Sequence, residues 1–479
     1  MMSEWGRDNL RCKENGFELL TLTAERSGKI RVVWLDPAGS GFTEYQIELS
    51  SSRFPSLAVL LPEIAWDERE IHDLFGWNPD GHPDPRPLVK NPRWPENFYP
   101  LQGMNGKPVW SDMEPDLPSI QVEGEGVTIM KVGPTHAGII ESGHFIFSLI
   151  GENVLHLDAH LFQNHRGVES FLEGKTIDEV PSLISRICAA DTVSNQVNWS
   201  TAIEQMAGFN APDQLNHQRI LLLEAERVLS HLNDLAQIPA GVGFQVAHQY
   251  ALAIKENWQR FLSDLYGHRF LFDTVRPGWA HSALGADLVS AVAQMRKEWF
   301  SWRQLVTDHN GFNNRMRGVG ATPSDKVIRL GAQGVVARAA GKQFDARQSL
   351  KWYGGIFEGS VTRSSGDVQA RFEIRMDELE ASLMMMEKVA SELGNCGADE
   401  SRFVLPDELS GQIVTFTESP HGLNAHDISV VDGRVSRYHL RSGAFRNWPL
   451  LAQSVAGNAV ADFPLINKSF ELCYSCTDR

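Results

Sequence analysis

Residues 76–118 decide how this chain can be divided. The stretch opens Gly76-Trp-Asn-Pro-Asp-Gly-His-Pro-Asp-Pro-Arg-Pro87, and prolines continue to Pro118. Proline fixes φ and removes a backbone donor, so the run can be neither a helix interior nor a central strand. It reads as an extended, irregular arm, with residues 88–122 a linker or a tail draped over a partner. A chain of 479 residues exceeds one ordinary core. A boundary here gives segments 1–122 and 123–479.

Alternation of apolar and polar residues predicts strands over Lys29–Leu35 and Thr43–Leu49, joined by a hairpin loop at Pro37–Gly41. A short helix is expected over Ala65–Phe75, where Glu68, Arg69, Glu70 and Asp73 have the spacing of an ion-paired helix face. The first segment is thus a small α/β domain. The second begins with strands at Val127–Val132, Ile139–Leu149 and Val154–Leu157, then turns helical from Phe162 to Leu271. Leu221, Ala225, Val228, Leu232 and Leu235 form one helical stripe, with Glu224, Arg227 and His231 expected on a solvated side. A second stripe, Phe372 to Leu393, reads as packing between long helices, with Met384–Met386 as flexible core filler. Strands return at 411–417, 427–431 and 435–440, with Asp432-Gly433 as a hairpin turn. The expected class is α+β: the small domain, then a mainly helical domain flanked by small β layers.

The formal net charge of −16 excludes general attraction to nucleic acid or anionic lipid. No apolar run is long enough to span a bilayer, and the N-terminus lacks the apolar core of a secretory signal. The expectation is a cytoplasmic chain that can sit on a membrane subunit. Five cysteines are too few and too odd for a disulfide framework. Cys12 and Cys396 have no ligand-like neighbours and read as ordinary thiols.

The chemistry concentrates at residues 471–479, Glu-Leu-Cys-Tyr-Ser-Cys-Thr-Asp-Arg. On a turn or a helix end, the spacing of Cys473 and Cys476 puts both sulfurs on one side, close enough for one soft or borderline metal. The same spacing suits a redox dithiol or half of a structural zinc site.

That terminal text resembles the C-terminal ligand motif of large subunits of membrane-bound, energy-converting [NiFe]-hydrogenases. Further landmarks follow the same order: Gly133-Pro-Thr-His-Ala-Gly138, His165-Arg-Gly-Val-Glu169, Arg186-Ile-Cys188, Glu226-Arg227, His231-Leu-Asn-Asp234, Arg276-Pro-Gly278, Gly366-Asp-Val-Gln-Ala-Arg371 and Glu418-Ser-Pro-His-Gly422. Trp66–Gly76 with Gly81-His-Pro-Asp84 resembles the smaller peripheral-arm subunit of respiratory complex I, an assembly module without a cofactor. The fused arrangement is similar to formate hydrogenlyase large subunits. The resemblance implies a metal centre held by Cys188, Asp191, Cys473 and Cys476, a proton-transferring Glu141, and His136 in a loop that lines the quinone pocket of complex I. It also implies a partner small subunit carrying an iron–sulfur cluster, membrane-arm subunits, and a place on the cytoplasmic face of the inner membrane.

Three positions depart from the pattern. Asp191 stands where a bridging cysteine is expected, a hard oxygen for a soft sulfur. His421 stands where an arginine beside the iron ligands is expected, and histidine is not a fixed planar cation. Glu471-Leu472 replaces Asp-Pro. Large subunits of the family carry a tail that an endoprotease removes after metal insertion. This sequence stops three residues after Cys476. Taken as an encoded end, that implies an absent checkpoint; taken as a mature end, it implies nothing. The readings left open are a hydrophilic-arm subunit of an ion-translocating complex, an active hydrogenase or sulfur-compound reductase with a Cys3Asp site, and a non-catalytic scaffold.

Overall fold

A computed structural model describes residues 3–36, 41–103, 118–136, 141–282, 285–393, 403–406 and 408–479. The expected hairpin loop at 37–41 lies mostly outside these residues, as do Cys396, much of the arm, and positions 137–140 of the second expected strand.

Helix α1 (Glu4–Glu14) starts at Ser3, whose hydroxyl accepts from the Gly6 N–H at 3.1 Å. Strands β1 (Glu18–Ala24), β2 (Lys29–Leu35) and β3 (Phe42–Glu48) form an antiparallel sheet in that order. β3 alternates exposed and half-buried residues, whereas β1 is buried throughout. The difference arises because β1 is covered on both faces. Helix α2 (Ala65–Phe75) packs on one side of it. On the other, Leu20, Val33 and Leu35 share an apolar cluster with Val414, Leu423 and Ala425 from the far end of the chain. The segments separated by the proline-rich arm therefore meet through a common core.

The second segment opens with the antiparallel sheet β4 (Val127–Val132), β5 (His144–Ile150) and β6 (Asn153–His160). The expected helical stretch then resolves mainly into α3 (Thr192–Met206), α4 (Asp213–Gly241) and α5 (Gln245–Tyr266). Helices α6 (Gly285–Thr307) and α7 (Val368–Leu393) complete a bundle in which α4 packs on α5 and α7, and α7 on α6. The α7 stripe is core, and Met386 is fully buried while Met384 is half exposed. Strands β7 (Gly411–Ser419), β8 (Gly422–Val431) and β9 (Arg434–Arg441) follow as an antiparallel meander. Asp432 (φ 49°) and Gly433 (φ 71°) make its second turn, the paired positive φ that suits a two-residue hairpin. The chain closes with α8 (Gly443–Val455), α9 (Phe463–Phe470) and α10 (Tyr474–Asp478).

Two expectations need correction. Glu224, Arg227 and His231 are not on a solvated face; each is fully buried. Glu224 accepts from Tyr353 Oη at 2.7 Å and Ser382 Oγ at 2.6 Å, and pairs with Arg347 and Arg227. Their helical spacing does not distinguish water from buried counterions. The acids of α2 likewise do not pair along their own helix. Asp67 meets Arg441 and Arg446, Glu70 meets Arg441 and Arg479, and Asp73 accepts three backbone N–H groups of residues 88–90. The contacts of Asp67 and Glu70 bind the N-terminal segment to the C-terminal one, while Asp73 holds the start of the proline-rich arm.

Candidate metal centre

The centre is assembled from two helix starts. Glu471 adopts a left-handed φ of 46° and ends α9, its N–H donating to the Asn467 carbonyl. The chain reverses there, and Cys473 becomes the N-cap of α10, its sulfur accepting from the Cys476 N–H at 3.4 Å. One helical turn thus sets Cys473 and Cys476 side by side. From the opposite side, Cys188 lies in the turn before α3, its sulfur accepting from the Ala190 N–H at 3.2 Å. Asp191 is the N-cap residue of α3. Buried Glu226, on α4, accepts from the Val193 N–H at 2.6 Å and the Ser194 N–H at 3.2 Å, holding the start of α3 against α4.

Cys188, Cys473 and Cys476 place their sulfurs within 4.8 Å of one another, a group able to hold one metal ion. Cys188 Sγ and Cys473 Sγ are 3.0 Å apart. Cys476 donates to Asp191 Oδ2 at 2.8 Å. Thiol hydrogen bonds from Cys188 and Cys476 pull Cys473 well below the usual thiol range, whereas burial pushes Cys188, Cys476 and Asp191 up.

The donor set fits a soft or borderline ion. The second oxygen of Asp191 is buried without a hydrogen-bond partner, so it has a free lone pair beside the sulfurs.

Cys188 and Cys473 open onto a cavity of about 420 Å³. Glu141 lines it and accepts from the Ser475 hydroxyl. His421 lines it too, 6% exposed and with neither ring nitrogen hydrogen-bonded. Its Nδ1 is 4.0 Å from Asp191 Oδ1 and its Nε2 is 4.0 Å from Asp234 Oδ2. The turn carrying His421 is held by Arg227, which donates to the carbonyls of Glu418 at 2.6 Å and Ser419 at 3.2 Å. Gly334 packs so closely on this turn that a Cβ there would stand 2.7 Å from the His421 carbonyl oxygen. His136 is not in the cavity wall. Its Nε2 is 2.7 Å from the Gly143 carbonyl, at the head of β5.

The spacing of the sequence did not single out the far wall of this cavity. Asp234 pairs with Arg375 at 2.8 Å, and Lys255 donates to Asn233 at 2.8 Å. Burial, followed by the charge of Asp234, raises Glu471 to about 8. Asp234 was legible only as part of a motif and Glu471 only as a departure from one. Behind them, His231 Nε2 lies 2.9 Å from Glu378, which pairs with Arg338 at 2.7 Å.

Comparison with known proteins matches two separate stretches of the chain. Residues 40–105 match the family model of the respiratory-chain NADH dehydrogenase 30 Kd subunit, and residues 241–410 that of the 49 Kd subunit. Both cysteine segments fall outside these matches. Formate hydrogenlyase subunit 5 of Escherichia coli is 28% identical over 91% of this chain and 78% of that protein. The membrane-bound hydrogenase subunit alpha of Pyrococcus furiosus is 27% identical over 72% of this chain and 86% of that protein. Among solved structures, a chain of the membrane-bound sulfane sulfur reductase, an archaeal respiratory membrane complex, shares the fold. Its TM-score is 0.69 at 22% identity, over 74% of this chain and 99% of that one. The chain is similar to large subunits of membrane-bound hydrogenases and to their complex I counterparts, with a match to the 30 Kd-subunit model lying ahead of one to the 49 Kd-subunit model.

Proposed function

We propose that the chain is a hydrophilic-arm subunit of a membrane-bound, complex-I-like and hydrogenase-like oxidoreductase complex that couples electron transfer to ion translocation. The observation that supports this best is the three-sulfur cluster at the wall of a 420 Å³ cavity, in a chain aligned over 91% of its length with a formate hydrogenlyase subunit. Cys188, Cys473, Cys476 and Asp191 hold a nickel-containing or other soft-metal centre. When bound, that centre supplies a site for electron exchange with a small substrate. Glu141, fixed by Ser475, takes or returns a proton at the cavity wall. His421 stands between Asp191 and Asp234 and orients whatever the cavity admits. His136, tied to a backbone carbonyl, shapes the loop on which a quinone could rest.

Among the described residues no helix is long and apolar enough to cross a membrane. In this reading ion translocation falls to membrane-arm partners, and electron delivery to a small subunit with an iron–sulfur cluster. In the same reading the chain sits peripherally, on the cytoplasmic face of the inner membrane. Asp191 and His421 favour a second reading, an altered centre that reduces a sulfur compound rather than protons.

Elemental analysis of the complex extracted from membranes, with hydrogen-dependent dye reduction, tests the assignment. Nickel and iron near stoichiometry with dye reduction identify a hydrogenase. A metal without dye reduction identifies the altered centre. If Cys473→Ser/Cys476→Ser leaves assembly and activity intact, the subunit is a scaffold and both readings fail.

A further inference from the structure

The three sulfurs of the cluster are not equivalent. Cys188 and Cys473 line the cavity, 3.0 Å from each other, only about 1 Å beyond disulfide bonding distance. Cys476 does not line it: the residue is 1% exposed and its thiol is committed to Asp191 at 2.8 Å. The sequence offers Cys473 and Cys476 as the local dithiol, through their Cys-x-x-Cys spacing. The fold instead brings Cys473 against a cysteine 285 positions away.

We propose that Cys188 and Cys473 form a two-electron dithiol/disulfide couple that reduces a small organic disulfide admitted by the cavity, with no metal required. The cavity of about 420 Å³ suits a small molecule rather than a protein chain. Cys473, half buried at the wall, is the attacking sulfur. It forms a bond to one sulfur of the substrate, whose S–S bond breaks, and the departing thiolate takes up the proton that Cys473 released. Cys188 then attacks Cys473, the mixed disulfide breaks, and a second thiol leaves with the Cys188 proton. Two cysteine thiols are oxidised to one disulfide, and one substrate disulfide is reduced to two thiols. Cys476 and Asp191 keep their contact throughout. Bound metal and disulfide are alternative uses of the same two sulfurs, and neither requires the other.

The test uses the full-length chain, reduced, freed of metal with a chelator, and mixed under anaerobic conditions with bis(2-hydroxyethyl) disulfide. Free thiols are then alkylated, and the non-reduced protein is digested and mapped by mass spectrometry. A Cys188–Cys473 cross-linked peptide in most chains, with Cys476 alkylated, is the expected result. Cys476→Ser should give the same cross-link. Cys188→Ser should stop at a 2-mercaptoethanol adduct on Cys473. A Cys473–Cys476 cross-link, a persistent adduct on Cys473 in the native sequence, or an unreacted Cys473 would each overturn the assignment. Metal content is measured on separately prepared protein, so a chain that never binds metal leaves this outcome unchanged.

Discussion

Arg375 bolts the cysteine-bearing end of the chain to the helical bundle, and its removal tests that bolt. From α7 it reaches Asp234 on α4 at 2.8 Å, the Ser469 carbonyl at 2.7 Å and the Phe470 carbonyl at 3.0 Å, with its side chain 1% exposed. The carbonyls belong to the last turn of α9, where no intrahelical donor remains. The variant Arg375→Met keeps much of the stem volume but removes the charge and both of these hydrogen bonds. It also strands Asp234 in the interior. Breaking one side of a buried pair costs about 3–5 kcal/mol. At about 1.4 kcal/mol per tenfold, residues 471–478 should open roughly two to three and a half orders of magnitude more often. Hydrogen–deuterium exchange of the peptide covering 463–479 reads this locally and requires no two-state unfolding of the whole chain. The double variant Arg375→Met/Asp234→Leu removes the stranded charge and should return exchange to within about tenfold of the parent. If the single variant leaves exchange of this peptide within threefold of the parent, or the double variant is no better than the single, Arg375 does not anchor the segment.

Cys188→Ser and Cys473→Ser should each lower retained metal by at least about tenfold in elemental analysis, whereas Asp191→Cys, which completes a four-sulfur set, should raise nickel retention. Burial raises Glu68 to about 7, against partial opposition from the hydroxyl of Ser56 and the Leu57 N–H. Because the folded value lies above the ordinary one, Glu68 contributes stability below about pH 4.5 that is lost as pH rises through 7. That loss amounts to about 3 kcal/mol, and Glu68→Gln should flatten it in melting temperatures taken from pH 5 to 8. Gly334 has a φ of +63°, and a Cβ there would stand 2.7 Å from both Gly422 Cα and the His421 oxygen. Gly334→Ala should lower the melting temperature by clearly more than Gly457→Ala, whose positive φ faces open space.

Period and punctuation made much of this fold readable. Ala65–Phe75 is a helix at the predicted bounds because its apolar residues recur at helical spacing and Gly76 supplies the left-handed cap, φ 74°. The turn at Asp432-Gly433 was equally plain. Periodicity failed where polar residues are buried among other polar residues. The helical side bearing Glu224, Arg227 and His231 has the pattern of a wet surface, and only the distant Arg347, Tyr353 and Glu378 turn it into interior. The cysteine segments were legible as chemistry, but not that Cys188 would come within 3.0 Å of Cys473. That approach follows from the left-handed turn at Glu471 and the anchoring of α3 on Glu226, neither of which leaves a local mark in the sequence.

The ion pairs of α2 impose an order on biosynthesis. Glu70 and Asp67 wait for arginines that lie 371 to 409 positions later in the chain. At about 5–20 residues per second, the ribosome takes roughly 20–80 s to deliver them. Until then the emerging N-terminal half carries acids without counterions and a first sheet without its cover. The arginines that finally neutralise it flank or follow the cysteines. A chain that stops before Arg441 therefore lacks both the counterions of Asp67 and Glu70 and the turn that carries Cys473 and Cys476.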